Sequence, residues 1–280
     1  MINQRNTNEA VIWDNNALKQ KANEIRCDVL NMIYHAGTGH IGGSLSSVDI
    51  LVTLFYQVMN YNVENLAWEQ RDRFILSKGH SCEGYYAILA DCGFFSKKEL
   101  EQYQKFNSLL GGHPHSKIPG VEMATGSLGH GPSLAVGMAL AGKMDHQAYR
   151  VFCLTGDGEL AEGSIWEASM AAVQYKLDNL VWIIDCNGLQ ISGPTQKVMN
   201  TEPLAKRWLS FGWKVQEING HDFTEIMDAL NKIPCEKEKP TLIIAHTIKG
   251  KGVSFMEGNH VWHHRVPKAD EYEQAIKELK

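Results

Sequence analysis

The chain has 280 residues, 44% of them hydrophobic and 21% charged, enough apolar material to bury a substantial core. Its net charge is 27 − 32 = −5 with no basic run, so nucleic acid and anionic membrane surfaces are not the expected partners. No apolar run approaches the roughly 20 residues a membrane helix needs; residues 1–16 are polar and lack the apolar centre of a signal peptide; and the six cysteines form no CxxC pair, so a reduced, cytoplasmic protein is expected.

Residues 17–35 place Leu18, Ala22, Ile25, Val29, Met32 and Ile33 at helical spacing. The helix runs into a glycine-rich loop, Gly37-Thr38-Gly39-His40-Ile41-Gly42-Gly43, after which Ser46 and Ser47 offer N-caps for a second helix through about residue 59. Residues 71–80 read as a charged turn, a short strand and a Gly79-His80 turn, with helix over 82–91. Residues 107–133 carry little regular pattern, and a loop of that length in a compact domain is usually functional or disordered. Residues 132–144 are apolar with small residues at helical intervals, a packed core helix. Five of the twelve histidines (His40, His80, His113, His130, His221) directly follow a glycine, a placement on turns that suggests a site more than a core.

Residues 151–195 organise the chain. An apolar run at 151–154 reads as a buried strand, and Gly156-Asp157-Gly158 then allows a sharp turn and close approach of the backbone. A helical pattern over 164–176 leads to a second apolar run at 180–184, closed by Asp185-Cys186-Asn187-Gly188. This is a β-α-β unit whose polar residues gather at the strand ends, where open α/β sheets bind ligands. Asp157 offers a carboxylate oxygen, Asn187 an amide oxygen and Leu189 a nearby carbonyl. Three oxygens without His or Cys suit Mg²⁺ or Ca²⁺. Free N–H groups at the Gly158 turn and a following helix N-terminus favour an anion, so the local reading is a cation-bridged diphosphate.

Beyond this unit, helix over 202–211, strand over 213–218, helix over 223–232 and strand over 241–245 continue the alternation without a break in composition. Residues 249–267 are turn-rich, and 268–280 form a charged C-terminal helix. The expected fold is α/β, a largely parallel central sheet with helices on both faces, in one domain over 1–280.

Gly156-Asp157-Gly158 followed thirty positions later by Asn187 resembles the thiamine diphosphate motif, and residues 156–168 resemble its transketolase branch. Around it, His40-Ile41-Gly42-Gly43-Ser44, the 72–80 segment, Gly112-His113-Pro114, Gly126-Ser127-Leu128-Gly129, Lys249-Gly250-Lys251-Gly252 and Trp262-His263 match further family segments. Ser127, His130 and His264 depart from the family pattern, which has Pro, Gln and Gly there; His264 must either tolerate a Gly-like backbone or sit in a different one.

The resemblance implies the diphosphate-binding domain of a transketolase, an enzyme that moves a two-carbon ketol unit from a ketose donor to an aldose acceptor. It implies that Asp157, Asn187 and the Leu189 carbonyl hold Mg²⁺, with Ca²⁺ a possible substitute. Gly158, Asn187, His80 and His263 would contact the diphosphate of thiamine diphosphate, and Gly126, Ser127 and Leu128 would lie against its pyrimidine. His40, His113 and His263 would face the donor sugar. Glu162 and Glu167 would be buried in a proton-sharing network across a subunit interface, or else form an ordinary acidic helix start. The family's pyrimidine-binding domain has no counterpart here, so a separate C-terminal transketolase subunit is expected as partner, in a heterotetramer. Other readings stay open: a 2-oxoacid dehydrogenase component, a non-catalytic scaffold of the same fold, and a metal site on His113 and His115 or on His260, His263 and His264. The sugar, whether an ordinary pentose phosphate or a branched, deoxy or sulfonated analogue, is not legible.

Overall fold

The computed structural model describes residues 13–280, so most of the polar 1–16 segment lies outside the described residues. Helix α1 (Asn15–Ala36) starts where the Asp14 carboxylate accepts the Ala17 N–H at 2.8 Å and stops at Gly37, whose φ of +67° lets its own N–H reach the Ile33 carbonyl. Its buried stripe is the one its spacing predicts.

The next segment differs from expectation. Helix begins at Ile41, directly after His40, as α2 (Ile41–Ser46), breaks at Ser47, and resumes as α3 (Val48–Thr53), which widens into a π-type turn over Leu54–Val58. Ser47 holds the N-cap position of α3, but neither serine hydroxyl caps a backbone N–H: both donate to the Gly43 carbonyl, and Ser46 also to Asp185 at 2.7 Å. Two glycines inside a short helix oppose helix propensity, but a Cβ on Gly42 would lie 2.7 Å from the Trp262 carbonyl and one on Gly43 would lie 2.4 Å from Ser81 Oγ. Close packing selects glycine here.

Strand β1 (Arg73–Leu76) leads to α4 (Cys82–Asp91), a 3₁₀ turn (Lys97–Gln102), and the long loop that ends at α5 (Gly131–Met144). The central unit follows as β2 (Val151–Gly156), α6 (Gly163–Gln174) and β3 (Leu180–Cys186), then a small hairpin of β4 (Leu189–Gln190) and β5 (Gly193–Pro194). The chain continues through α7 (Thr195–Val198), α8 (Leu204–Phe211), β6 (Lys214–Asn219), α9 (Phe223–Asn231), β7 (Thr241–His246) and α10 (Ala269–Leu279).

Five strands form one sheet in the order β1-β2-β3-β7-β6, every neighbour parallel. The near-continuous apolar runs follow from burial on both faces. Phe152, Leu154, Val181 and Ile183 point into a core shared with α1–α4, α9 and α10. Cys153, Trp182 and Ile184 point the other way, toward α5, α6 and α8, where Trp182, Trp208 and Trp213 pack edge to face. All six cysteines are free thiols, three of them buried. Among the described residues no helix is long and apolar enough to cross a membrane.

Buried charge joins the helical layer to the loops at the strand ends. Asp49, on α3, accepts from Arg26 of α1 at 2.7 Å and lies 2.7 Å from Nδ1 of His221 in the β6–α9 turn, while His221 Nε2 accepts the Ile248 N–H at 2.8 Å. Burial alone would push the Asp49 carboxyl up, but Arg26 and His221 hold it below the usual carboxylate range. Its stabilisation is full above that range and fades as pH falls toward the lowered value. Asp49→Asn, which strands the Arg26 charge, should destabilise the fold by about 3–5 kcal/mol in urea unfolding at pH 7.

Candidate active-site cleft

Parallel register brings the strand ends level, Gly156 beside Asp185 and Asp185 beside Ala245, so the turns after β2 and β3 open into one cleft of about 400 Å³. Asp157 closes the first turn. Its Oδ1 accepts the Gly158 N–H at 2.9 Å and its Oδ2 the Gly188 N–H at 2.7 Å, tying the two strand ends together. A Cβ on Gly158 would fall 2.7 Å from the Gln190 side chain, which would have to shift to admit it. Asn187 Oδ1 accepts the Leu189 N–H at 3.2 Å, and its amide donates to Asp185. Burial, with the neighbouring Asp185 charge, pushes the Asp157 carboxyl up to about 7.

Two buried ammonium groups stand opposite, on equal charge but unequal terms. Lys78 donates to Asp185 at 2.5 Å and to the Gly43 carbonyl at 2.6 Å. Asp185 also accepts from Ser46 and Thr247, and these partners hold its carboxyl low although burial opposes it. Lys249 is only 2% exposed, and its Nζ touches His263 Nδ1 at 3.3 Å; among the described residues no carboxylate pairs with it. Burial pulls it down to about 8.

The histidines gather around it. Ring centroids of His40 and His80 lie 5.0 Å apart, His80 and His263 5.3 Å, and His40 and His263 5.5 Å. Burial first, then neighbouring positive groups, lower His40 to about 4, His263 to about 3 and His80 to about 2. All three imidazoles are therefore neutral at pH 7, each able to donate with one nitrogen and accept with the other.

Most of the predicted residues meet here: His40, His80, Gly126, Leu128, Asp157, Gly158, Asn187, Leu189 and His263 line the cleft. His113 stands exposed at its rim with its ring against Gly126, where a Cβ would come within 2.4 Å of the ring. Ser127 does not line the cleft; its exposed hydroxyl lies 3.3 Å from His130 Nδ1. Glu162 and Glu167 are exposed in this single chain and outside the cleft, so any burial of them would have to come from a partner surface. Glu162 only precedes the first turn of α6 and makes no side-chain cap bond, while Ile165 takes the inward position. The buried carboxylate of this segment is Glu159, which accepts from Ser77 and from the Gly129 and Gly156 N–H groups. His264, with φ −139°, uses ordinary backbone and needs no glycine-like conformation; its ring lies 4.4 Å from that of His40.

Lys78, Asp185, Glu159 and Lys249 escaped sequence reasoning. Lys78 and Lys249 lie in segments that resemble the family's and Asp185 closes the central strand, but the residues themselves signalled only charge in an apolar or glycine-rich run, and such charge is usually solvated.

A cleft of this composition at the carboxyl ends of parallel strands defines an α/β ligand-binding domain furnished for an anionic group. The chain belongs to the transketolase family: residues 17–279 match the family described as transketolase, thiamine diphosphate binding domain. It is 47% identical over 262 residues to a subunit of the apulose-4-phosphate transketolase of Phocaeicola vulgatus, covering 94% of this chain and 93% of that one. Against the 6-deoxy-6-sulfo-D-fructose transketolase subunit SqwG of a Clostridium species it is 42% identical over 263 residues, covering 94% and 96%. The human transketolase is 41% identical over 264 residues, but there the chain spans only 42% of the relative. Among solved structures, the transketolase of Campylobacter jejuni superposes with a TM-score of 0.90 at 34% identity, over 95% of this chain and 43% of that one.

Proposed function

We propose that the chain, as a single thiamine diphosphate-binding domain, is the N-terminal subunit of a two-polypeptide transketolase that transfers a two-carbon ketol unit from a ketose donor to an aldose acceptor. The observation that carries this reading is the pairing of the Asp157–Asn187 turn with a buried Lys249 that makes no direct ion pair, in a cleft lined by neutral imidazoles. A bound diphosphate would give that ammonium a direct partner.

The residues present fit the cofactor and a divalent cation. Asp157, Asn187 and the Leu189 carbonyl would supply oxygen donors of the kind that suit Mg²⁺, with Ca²⁺ as a substitute. A carboxyl held up to about 7 by burial is one that a cation would relieve. Gly158, Asn187, His80, His263 and Lys249 would hold the diphosphate, the Gly158 N–H exchanging its bond to Asp157 for one to the ligand, and Gly126 and Leu128, with Ser127 beside them, would support the pyrimidine. Thiamine diphosphate supplies, when bound, the carbon nucleophile needed to cleave a ketose next to its carbonyl. The chain's own part is to orient the sugar and move protons: His40 and His263, neutral at pH 7, donate and accept at the sugar hydroxyls, with His113 closing the rim.

Likeness over nearly the full length of proteins named as transketolase subunits supports a partner on a separate polypeptide and favours this reading over a 2-oxoacid dehydrogenase component. The partner would be a C-terminal subunit carrying the pyrimidine-binding domain, the assembly a cytoplasmic heterotetramer, and Glu162 and Glu167 part of the surface it covers. Relatives named for apulose 4-phosphate and for 6-deoxy-6-sulfo-D-fructose support a substrate of related chemistry, beside ordinary pentose phosphates.

Calorimetric titration of thiamine diphosphate with Mg²⁺, into this chain alone and into its mixture with the neighbouring gene's product, tests the reading. Tight binding and ketol transfer are expected only in the mixture. Tight binding by this chain alone, or none in either case, would refute the partner and bring back the scaffold reading.

A further inference from the structure

Glu83 sits in the first turn of α4 and is 0% exposed. Its carboxylate accepts three hydrogen bonds: Oε1 from the His40 backbone N–H and from the Tyr103 hydroxyl, each at 2.8 Å, and Oε2 from Ser44 Oγ at 2.6 Å. Among the described residues no cation pairs with it. A buried carboxylate without a counter-ion is costly and persists where donors are numerous and well placed. Here every partner donates, which matches an acceptor-only group.

The three donors come from segments that otherwise have little reason to hold a fixed relation. His40 and Ser44 belong to the loop and short helix at the donor side of the cleft. Tyr103 opens the long loop toward His113, and the next residue carries the connection on. The Gln104 N–H donates to the Leu110 carbonyl at 2.8 Å, and its side chain packs so closely on Gly112 that a Cβ there would lie 2.3 Å away. On the other side, Gly39 has φ +145°, and a Cβ on it would fall 2.6 Å from Glu83 Oε1, so the backbone entering His40 is laid directly on the carboxylate.

We propose that Glu83 is a positioning residue for the donor end of the cleft: its buried carboxylate fixes the backbone of His40 and the start of the 103–113 loop relative to one another, and so sets the spacing of His40 and His113. The inference rests on the reading of these two histidines as donor-sugar ligands. It predicts that Glu83 governs how the donor is held more than how the cofactor is held, because the Asp157 and Asn187 turns are tied to one another rather than to the 38–44 or 103–113 segments.

Two variants in the complex with the partner subunit test this. In Glu83→Gln the amide oxygen can still accept from His40 and Tyr103, whereas the amide nitrogen faces Ser44. Tyr103→Phe removes one donor and leaves no new buried polar group. Hydrogen–deuterium exchange should rise in segments 38–44 and 103–113 together in both variants, with exchange at the Asp157 turn unchanged. Donor kcat/KM should fall by about 10- to 100-fold, as for a small displacement of a substrate-holding group, while the thiamine diphosphate Kd stays within about twofold of wild type. Wild-type exchange in both segments overturns the proposal, as does a lowered Tm with unaltered donor kcat/KM. If the wild-type complex transfers no ketol unit from any ketose, the functional reading fails, and the exchange measurement still decides the role of Glu83.

Discussion

Asp157→Asn is expected to remove more than about 100-fold of ketol-transfer activity in the assembled enzyme, since even outer partners of a metal ligand are worth 10- to 100-fold. The chain itself should survive the change. Asp157 accepts the Gly158 and Gly188 N–H groups, and an asparagine oxygen can keep one of these bonds. Burial and the Asp185 charge have pushed the carboxyl up to about 7, so its ionised form is the unfavourable one without a cation beside it. The sign follows. A carboxyl raised on folding costs stability as pH climbs from the ordinary carboxylate value through about 7. At pH 8 the variant should therefore melt no lower than wild type without cofactor, and should fail to gain stability from Mg²⁺ and thiamine diphosphate. The wild-type complex should gain more from them at pH 8 than at pH 6, because cation binding competes with the proton. Thermal melts at the two pH values measure both; a variant that melts well below wild type in the cofactor-free state would contradict this account of Asp157.

Lys249→Met carries the second large effect. Removing one partner of a buried charged contact costs about 2–5 kcal/mol, equivalent to a rise of roughly 30-fold to several thousand-fold in the thiamine diphosphate Kd. Lys249 makes no direct ion pair to break, unlike Lys78, which shares a hydrogen bond with Asp185; the Asp185 and Asp157 charges act on it only through space. The loss should appear in cofactor binding rather than in folding. Burial lowers Lys249 to about 8, and a diphosphate beside it would raise that value. Above pH 8 binding must then take up a proton, so wild-type affinity should decline as pH rises through about 8. Titrations in buffers of different ionisation enthalpy should register this proton uptake in wild type and its absence in Lys249→Met. A methionine variant with the same alkaline decline would assign that titration to another group.

The residues that made the site legible in sequence share one property: their meaning is local. Gly156-Asp157-Gly158 follows an apolar run, and Asn187 follows another, so the β-α-β unit and the approach of its two ends could be inferred before any tertiary contact was known. Helix α4 was legible for the same reason, with boundaries at Cys82 and Asp91 as its pattern implies. The Gly-His turns were legible by their residue types, and three of their kind, His40, His80 and His113, do reach the cleft or its rim.

Where expectation failed, a contact distant in sequence was in control. Ser46 and Ser47 look like helix caps, yet their hydroxyls turn to Gly43 because α2 is pressed against Trp262 and Ser81. Glu159, just after the strand, takes the buried donors of Ser77, Gly129 and Gly156, partners that its neighbours in sequence do not announce.

Sequence alone thus determined the α/β architecture, the oxygen donors at two strand ends and the histidine-bearing turns, because apolar periodicity and turn chemistry are written in neighbouring residues. Only the tertiary structure decided which charges are buried and how they are matched. Lys78 finds Asp185 across 107 positions, Glu83 finds His40 across 43, and Lys249 is left without a direct ion pair. Desolvation and pairing act through space, and it is they that turn ordinary surface residue types into a donor-rich cleft with one buried ammonium not directly paired.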